Sequence, residues 1–545
     1  MFTCVKKSGP YQYLQIVENH REGYKTKQRV ICTLGRLEAL KDSRGIESLV
    51  RSLTKYTPEA LMILSQRGEV ESEACKIGPP LVFDRLWQET GIQKVLNELL
   101  KGRRFSFDVE REIFLTVLHR LMASGSDRFC DSWRRSYQIA GTEELALHHS
   151  YRAMAFLGEE IAGQVRGKIK TFRTMKDVIE ERLFDAHRDM FTGLQMVFFD
   201  TTSIYFEGEA GEQLGEYGYS KDHRSDRYQM IVGVVLDEAG MPISCEMWPG
   251  NTADVNTLLP VVERLKNRFG ITDFCVVADR GMVSEDTIEQ LEKNNLSYIL
   301  GARMKLVKEI GEQVLTRPGS YCEIYPEDGS SKGPNPLKVK DVRVYGGKRY
   351  ILCYNERQAF KDASDRELIL EGLKEKIKSN PKSLVQNKGY QKYLKIKQGA
   401  MVIDQEKVDN ESRFDGKWVL RTNTALKADQ VALKYKELWQ VEQVFRDVKS
   451  VLETRPVYHR LDETIRGHVF CSFLALILKK ELDRRLQAND YNFEWNEIRE
   501  DLKSLQEVMI KSQDKTMILR TQVKGACGKI FQSTGVAIPP TIRIK

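Results

Sequence analysis

Residues 196–208, MVFFDTTSIYFEG, decide the fold. Four apolar residues, Met196 to Phe199, run straight into an acid, Asp200, and then into Thr201 and Thr202. A short apolar run of this kind predicts a buried strand, which puts Asp200 at or near a strand end. An Asp in that position either caps a turn or meets a ligand where the sheet ends.

Downstream come RYQMIVGVVLD (227–237), MPISCEMW (241–248), a helix-like DVNTLLPVVERLKNRF (254–269) and DFCVVAD (273–279). The order is three strands, a helix and a strand, which is that of an RNase H-like α/β core. Asp279 ends the last of these strands, and Gly281 lets the chain turn before a helix that starts near Ser284. If the strands ending at Asp200 and Asp279 pair, two carboxylates stand side by side, which is costly unless a cation neutralises them. Mg²⁺ takes carboxylate, water and phosphate oxygens, and two such ions about 3.5–4 Å apart support in-line attack on a phosphodiester.

Such a site takes a third acid. In YKELWQVEQVFRDVK (435–449), Leu438, Val441, Phe445 and Val448 recur at helical spacing and predict a buried face. The neighbouring stripe carries Tyr435, Trp439, Glu442, Arg446 and Lys449. Taken alone it is a solvated face with a Glu442–Arg446 pair one turn apart. Beside two strand-end aspartates, Glu442 becomes the candidate third acid.

The rest of the chain sets bounds. At 545 residues it is too long for one core. Charged residues make up 30% and hydrophobic ones 41%, an ordinary globular balance, and the net charge of +8 is compatible with nucleic acid without requiring it. Ten cysteines without a CxxC pair, and histidines without an HExxH spacing, argue against a zinc site and a disulfide framework. The N-terminal residues lack the apolar run of a signal peptide, and VFCSFLALIL (469–478) is too short to span a bilayer. A cytoplasmic protein is expected, associated with the nucleoid when bound to DNA.

Six segments are expected: a β-hairpin in 1–45, a mainly helical stretch in 46–190 that binds DNA ends, the first part of the core in 191–302, a β-leaning stretch in 303–424 with one helical patch, DASDRELILEGLKEKIKSN (362–380), core helices in 425–485, and a helical C-terminal region in 486–545 suited to dimerisation. Basic spots at KGRRF (101–105), SWRRSY (132–137) and RGKIKTFR (166–173) either grip phosphates or form solvated faces. The loop KDHRSDR (221–227), with His223 and Arg224, and NKGYQKYLKIK (387–397), with Lys388, Tyr390 and Lys392, either track a DNA backbone or form exposed hairpins. In WPGNTAD (248–254), Asn251 follows a glycine turn and Asp254 reads more as a helix-capping acid than as a ligand.

As an ordered set, FFDTT, WPGNTAD, VVADRGM and YKELWQVEQVFRDVK resemble the bacterial insertion-sequence DDE transposases, in the superfamily that carries a Tyr-Arg-Glu-Lys signature around its last acid. Tyr435, Glu442 and Lys449 fall in register with that signature, whereas Leu438 stands where its arginine belongs and Arg446 lies one turn beyond the glutamate. The resemblance implies an RNase H-like core interrupted by a β-rich insertion, here 303–424. It implies Asp200, Asp279 and Glu442 as ligands of two Mg²⁺ or Mn²⁺ ions, without ATP, and Tyr435, Arg446 and Lys449 beside DNA, and it makes Asn251 a candidate DNA contact. Arg280, directly after Asp279, either reaches a phosphate or locks the site by pairing with a carboxylate. The activity implied is cleavage and joining at inverted-repeat ends by a dimer that also engages target DNA. A domesticated DNA-binding protein and a non-transposing RNase H-like nuclease are the alternatives that use the same residues.

Overall fold

Alternating side chains at the N-terminus form an antiparallel sheet of β1 (Phe2–Ser8), β2 (Tyr11–Glu22) and β3 (Lys25–Arg36). The expected hairpin is β2–β3, and β1 joins its edge through a turn at Gly9, whose φ of 61° suits glycine. The computed structural model describes all residues except 1, 23–24, 54–70, 162–172, 187–194, 326–335, 380–391, 398–399, 513–514 and 545. Among the described residues, the stretch 46–190 is mainly helical, as expected, and also holds the strand β4 (Glu71–Lys76).

The larger compact unit, residues 75–507 and 521–539, is built on one nine-stranded mixed sheet. Five strands form its centre: β5 (Met196–Tyr205), β6 (Gln229–Leu236), β7 (Pro242–Pro249), β8 (Cys275–Ala278) and β9 (Ser297–Gly301). β5, β6 and β7 pair antiparallel, while β8 runs parallel to β5, and β9 runs parallel to β8. The parallel step from β7 to β8 is made by the helix Leu258–Phe269, whose buried Leu258, Val261, Val262, Leu265 and Phe269 follow helical spacing.

Alternation along β5 sends successive side chains to opposite faces. Val197 and Phe199 pack with that crossover helix and with Val276 and Ala278 of β8. Phe198 and Val277 face the other side, where Val441, Val444 and Phe445 and the long helix Asp462–Gln487 complete the core. The run Val469–Leu476 is wholly buried in that helix. Gly467 lets the helix cross Leu147–Gly158 closely, because a Cβ there would collide with the Met154 carbonyl. Among the described residues no helix is long and apolar enough to cross a membrane.

The stretch 303–424 continues the same sheet. β10 (Cys322–Ile324), β11 (Leu337–Arg343) and β12 (Arg349–Tyr354) are followed by the small pair β13 (Leu394–Lys397) and β14 (Ala400–Ile403), and then by β15 (Lys417–Thr422). β15 pairs antiparallel with both β12 and β9, so the strand order is β10-β11-β12-β15-β9-β8-β5-β6-β7. β-strands are only part of its content, for it also holds the 24-residue helix Glu356–Ser379.

Two expectations are corrected. The stretch 435–449 is not one helix: Ala428–Lys436 and Trp439–Arg446 are joined at Glu437 and Leu438 by bonds to carbonyls three residues back, and Asp447–Val451 widens into a π-turn. The C-terminal region is not all helical. The charged helix ends at Ser504, and β16 (Gln506–Ser512), β17 (Lys515–Arg520) and β18 (Ile542–Ile544) form a four-stranded sheet in the order β18-β17-β16-β4. These last strands return to pair near residue 71, a long-range pairing that local patterning does not contain.

Candidate active site

Parallel pairing puts Phe199 of β5 opposite Ala278 of β8. The next residue in each case is an aspartate, so Asp200 and Asp279 are neighbours where the parallel ladder stops. Asp279 follows the end of β8, but Asp200 is not at the strand end expected for it, because β5 runs on to Tyr205 paired with β6. By alternation Asp200 shares a face with Phe198, and Asp279, still extended at φ −75° and ψ 160°, shares it with Val277. That is the face covered by Val441, Val444 and Phe445 of Trp439–Arg446, the helix that carries Glu442.

Burial pushes the Asp200 carboxyl up to about 6, with the charges of Asp279 and Asp254 adding to the rise and Lys221 and the Thr201 N–H opposing it. The Thr201 N–H donates to Asp200 Oδ1 at 2.7 Å. Asp279 Oδ1 accepts from the Tyr435 hydroxyl at 2.9 Å, and burial raises that phenol, with the Asp279 charge adding. Gly301 makes the contact possible, since a Cβ on it would lie 2.6 Å from the Tyr435 hydroxyl.

Asp254 departs from its reading as a capping acid. It opens the short turn Asp254–Asn256, but its carboxylate accepts from Thr201 Oγ1 at 2.8 Å and pairs with Lys221 Nζ at 3.0 Å. Its Oδ2 and Asp279 Oδ2 both border Gly281, at 3.7 and 3.9 Å from where a Cβ would stand. Lys221 also donates to the Thr201 carbonyl and hydroxyl at 2.8 and 2.9 Å. Capping failed as a guide because it weighs only residues near in sequence, whereas this carboxylate turns to a strand 53 residues away.

The remaining candidates divide by what they touch. Glu442 and Arg446 are both exposed. Lys449 Nζ donates to Asp222 Oδ1 at 2.7 Å, and Arg455 pairs with the same oxygen. Burial lowers the Lys449 pKa, opposed by the bond to Asp222. Arg280 and Asn251 are exposed in turns, and the Arg280 carbonyl accepts from Arg303. His223 is exposed at a φ of 57°, while Arg224 pairs with Asp226 and Glu207 and lies over Tyr205. Lys392 pairs with Glu411 and lies over Tyr393. Lys388 and Tyr390 lie outside the described residues. Of the basic spots, Arg134 is bound to the Thr142 and Leu145 carbonyls and Arg103 to Glu159, whereas the Arg135 side chain is 74% exposed.

Sequence reasoning passed over Lys221 and Asp222. Both lie in the KDHRSDR loop, whose charges mark it as notable without saying which side chain turns inward. Among the described residues no cluster of three or more His, Cys, Asp or Glu side chains is arranged to hold a metal ion. The donor chemistry still fits one: Asp200, Asp254 and Asp279 offer hard oxygens, and the upward push on Asp200 is what a cation would relieve.

Two family models match the chain. Residues 2–67 match the IS1634 family transposase N-terminal domain, and residues 192–478 match the transposase DDE domain. No curated protein matches.

Proposed function

The chain belongs to the insertion-sequence DDE transposases, and on that premise we propose that it cleaves DNA at its element's ends and joins the freed 3′ ends to target DNA. The observation that carries this reading is the β5–β8 pairing, which sets Asp200 beside Asp279 on the face covered by the Glu442 helix. The strand order β7-β6-β5-β8-β9 supports an RNase H-like core, and 303–424 supplies the insertion that extends it.

Asp200, Asp279 and Glu442 are the proposed metal ligands. Tyr435, before Glu442, is held on Asp279, and Lys449, after it, is held on Asp222 next to the Lys221 that reaches Thr201 and Asp254. Contacts on both sides of Glu442 thus support its placement at the two aspartates. Two Mg²⁺ or Mn²⁺ ions held there would activate water and then a DNA 3′-hydroxyl, and would stabilise charge on the phosphorus.

The chain's own groups do the remaining work. The Tyr435 hydroxyl fixes the rotamer of Asp279, and the Thr201 N–H holds one oxygen of Asp200 while its other oxygen can bind metal. Arg446 and Arg280 are the proposed contacts to DNA phosphates, a reading that their exposure supports. Inverted repeats, target DNA and a homodimer complete the proposed assembly.

The test is an in-cell excision and integration assay of a marked element with its native flanks. Movement with the parent and none with equally expressed Glu442→Gln and Asp200→Asn supports the reading. Movement in either variant at the parent's rate removes the three-acid site.

A further inference from the structure

Lys221 is a cation set beside the proposed metal ligands. Its ammonium meets the Thr201 carbonyl at 2.8 Å, the Thr201 hydroxyl at 2.9 Å and Asp254 Oδ2 at 3.0 Å. Thr201 directly follows Asp200, and Lys221 is the strongest attractive charge acting on Asp200. The arrangement is built rather than incidental, because the Lys221 N–H is itself fixed to Ser203 Oγ at 2.8 Å. Thr201 Oγ1 then joins Asp254 to the strand of Asp200.

We propose that Lys221 is the built-in counter-cation of the acid cluster, that it competes with divalent metal there, and that Asp254 is the fourth carboxylate whose charge it shares. The inference rests on the reading of Asp200 and Asp279 as metal ligands. The charges of Asp279 and Asp254 both act unfavourably on Asp200, and a lysine offers a compact opposing charge on a flexible stem. The Lys221 and Asp254 side chains are 27% and 29% exposed, so the ammonium can swing into water when a divalent ion arrives. A free chain thereby keeps its acids neutralised, and metal loading displaces a charge that the fold supplies.

Mn²⁺ titration of the full chain without DNA, read from the electron paramagnetic resonance signal of the free ion, tests this without reference to activity. Removing a positive charge a few Å from a divalent ion should tighten binding about tenfold or more. Lys221→Met is expected to show that gain, and Lys221→Arg, which keeps the charge, is expected to bind as the parent does. Lys221→Gln, which keeps a donor for the Thr201 carbonyl, carries the same expectation as Lys221→Met and serves if that variant does not fold. Mn²⁺ affinity in both neutral variants equal to or weaker than the parent's overturns the proposal. Asp200→Asn separates the two levels. Lost binding in that variant with unchanged affinity in Lys221→Met and Lys221→Gln removes the role of Lys221 alone, whereas binding retained in Asp200→Asn removes the acid-site reading and this inference with it.

Discussion

Replacing Asp222 by Asn should destabilise the larger unit more than any single change at the exposed acid Glu442. The Asp222 side chain is 5% exposed and meets two cations, Lys449 at 12% and Arg455 at 26% exposure. Neutralising it leaves both cations in a largely desolvated place facing an amide, which costs about 3–5 kcal/mol by comparison with other broken buried pairs. Part of the cost is mutual repulsion of the cations, so adding Lys449→Met to Asp222→Asn should recover about 2 kcal/mol as coupling. Urea denaturation followed by tryptophan fluorescence on the parent, the two single variants and the double variant measures all four corners. Glu442→Gln is the control and should stay within about 0.5 kcal/mol of the parent, because the side chain is exposed. A loss below about 1 kcal/mol for Asp222→Asn, or strict additivity in the double variant, refutes the view that Asp222 is the buried counter-charge of Lys449 and Arg455.

Two further outcomes are expected. Burial pushes the Glu112 carboxyl up from 4.5 to about 7, so the folded chain keeps a proton that the unfolded chain loses. Its contribution to stability is present below about pH 4.5 and falls away as pH rises to about 7, by on the order of 3 kcal/mol. Glu112→Gln, which keeps an acceptor for the Ser150 hydroxyl at 2.5 Å, should therefore be the more stable protein near pH 8, and the gap should close toward about pH 4 in denaturation curves; a gap independent of pH would show that Glu112 is not the group responsible. Tyr435→Phe strips Asp279 Oδ1 of its donor. A loss of about 1.5–3 kcal/mol is expected, with excision reduced while binding to element ends is retained in a gel-shift assay. Unchanged stability and excision would mean that the hydroxyl does not position the aspartate.

Much of the central sheet was legible in the residues. The apolar runs ending at Asp200 and Asp279 and the helical stripe Leu258, Val261, Val262, Leu265 carry their own periods, and period is a local property that a chain states without its partners. The same holds for the buried face of Val441, Phe445 and Val448. The family resemblance then tied three distant acids together by order and spacing, although the break at Glu437 and Leu438 left no mark in that pattern.

What the sequence by itself determined is therefore which segments bury which faces, and that two buried apolar runs each lead into an acid, of which only Asp279 lies at a strand end, because β5 runs on past Asp200 to Tyr205. Only the tertiary structure decided that β5 and β8 are parallel neighbours, that 303–424 lengthens the same sheet through β15 and β9, and that β16 returns to β4. It alone turned Asp254 away from a helix end toward Thr201, and Lys221 and Asp222 out of a charged loop toward the acids and Lys449. The reason is physical. Periodicity records how a side chain faces its own element, whereas the partner of a charged group depends on which strands meet and on the desolvation that makes each buried charge find an opposite one.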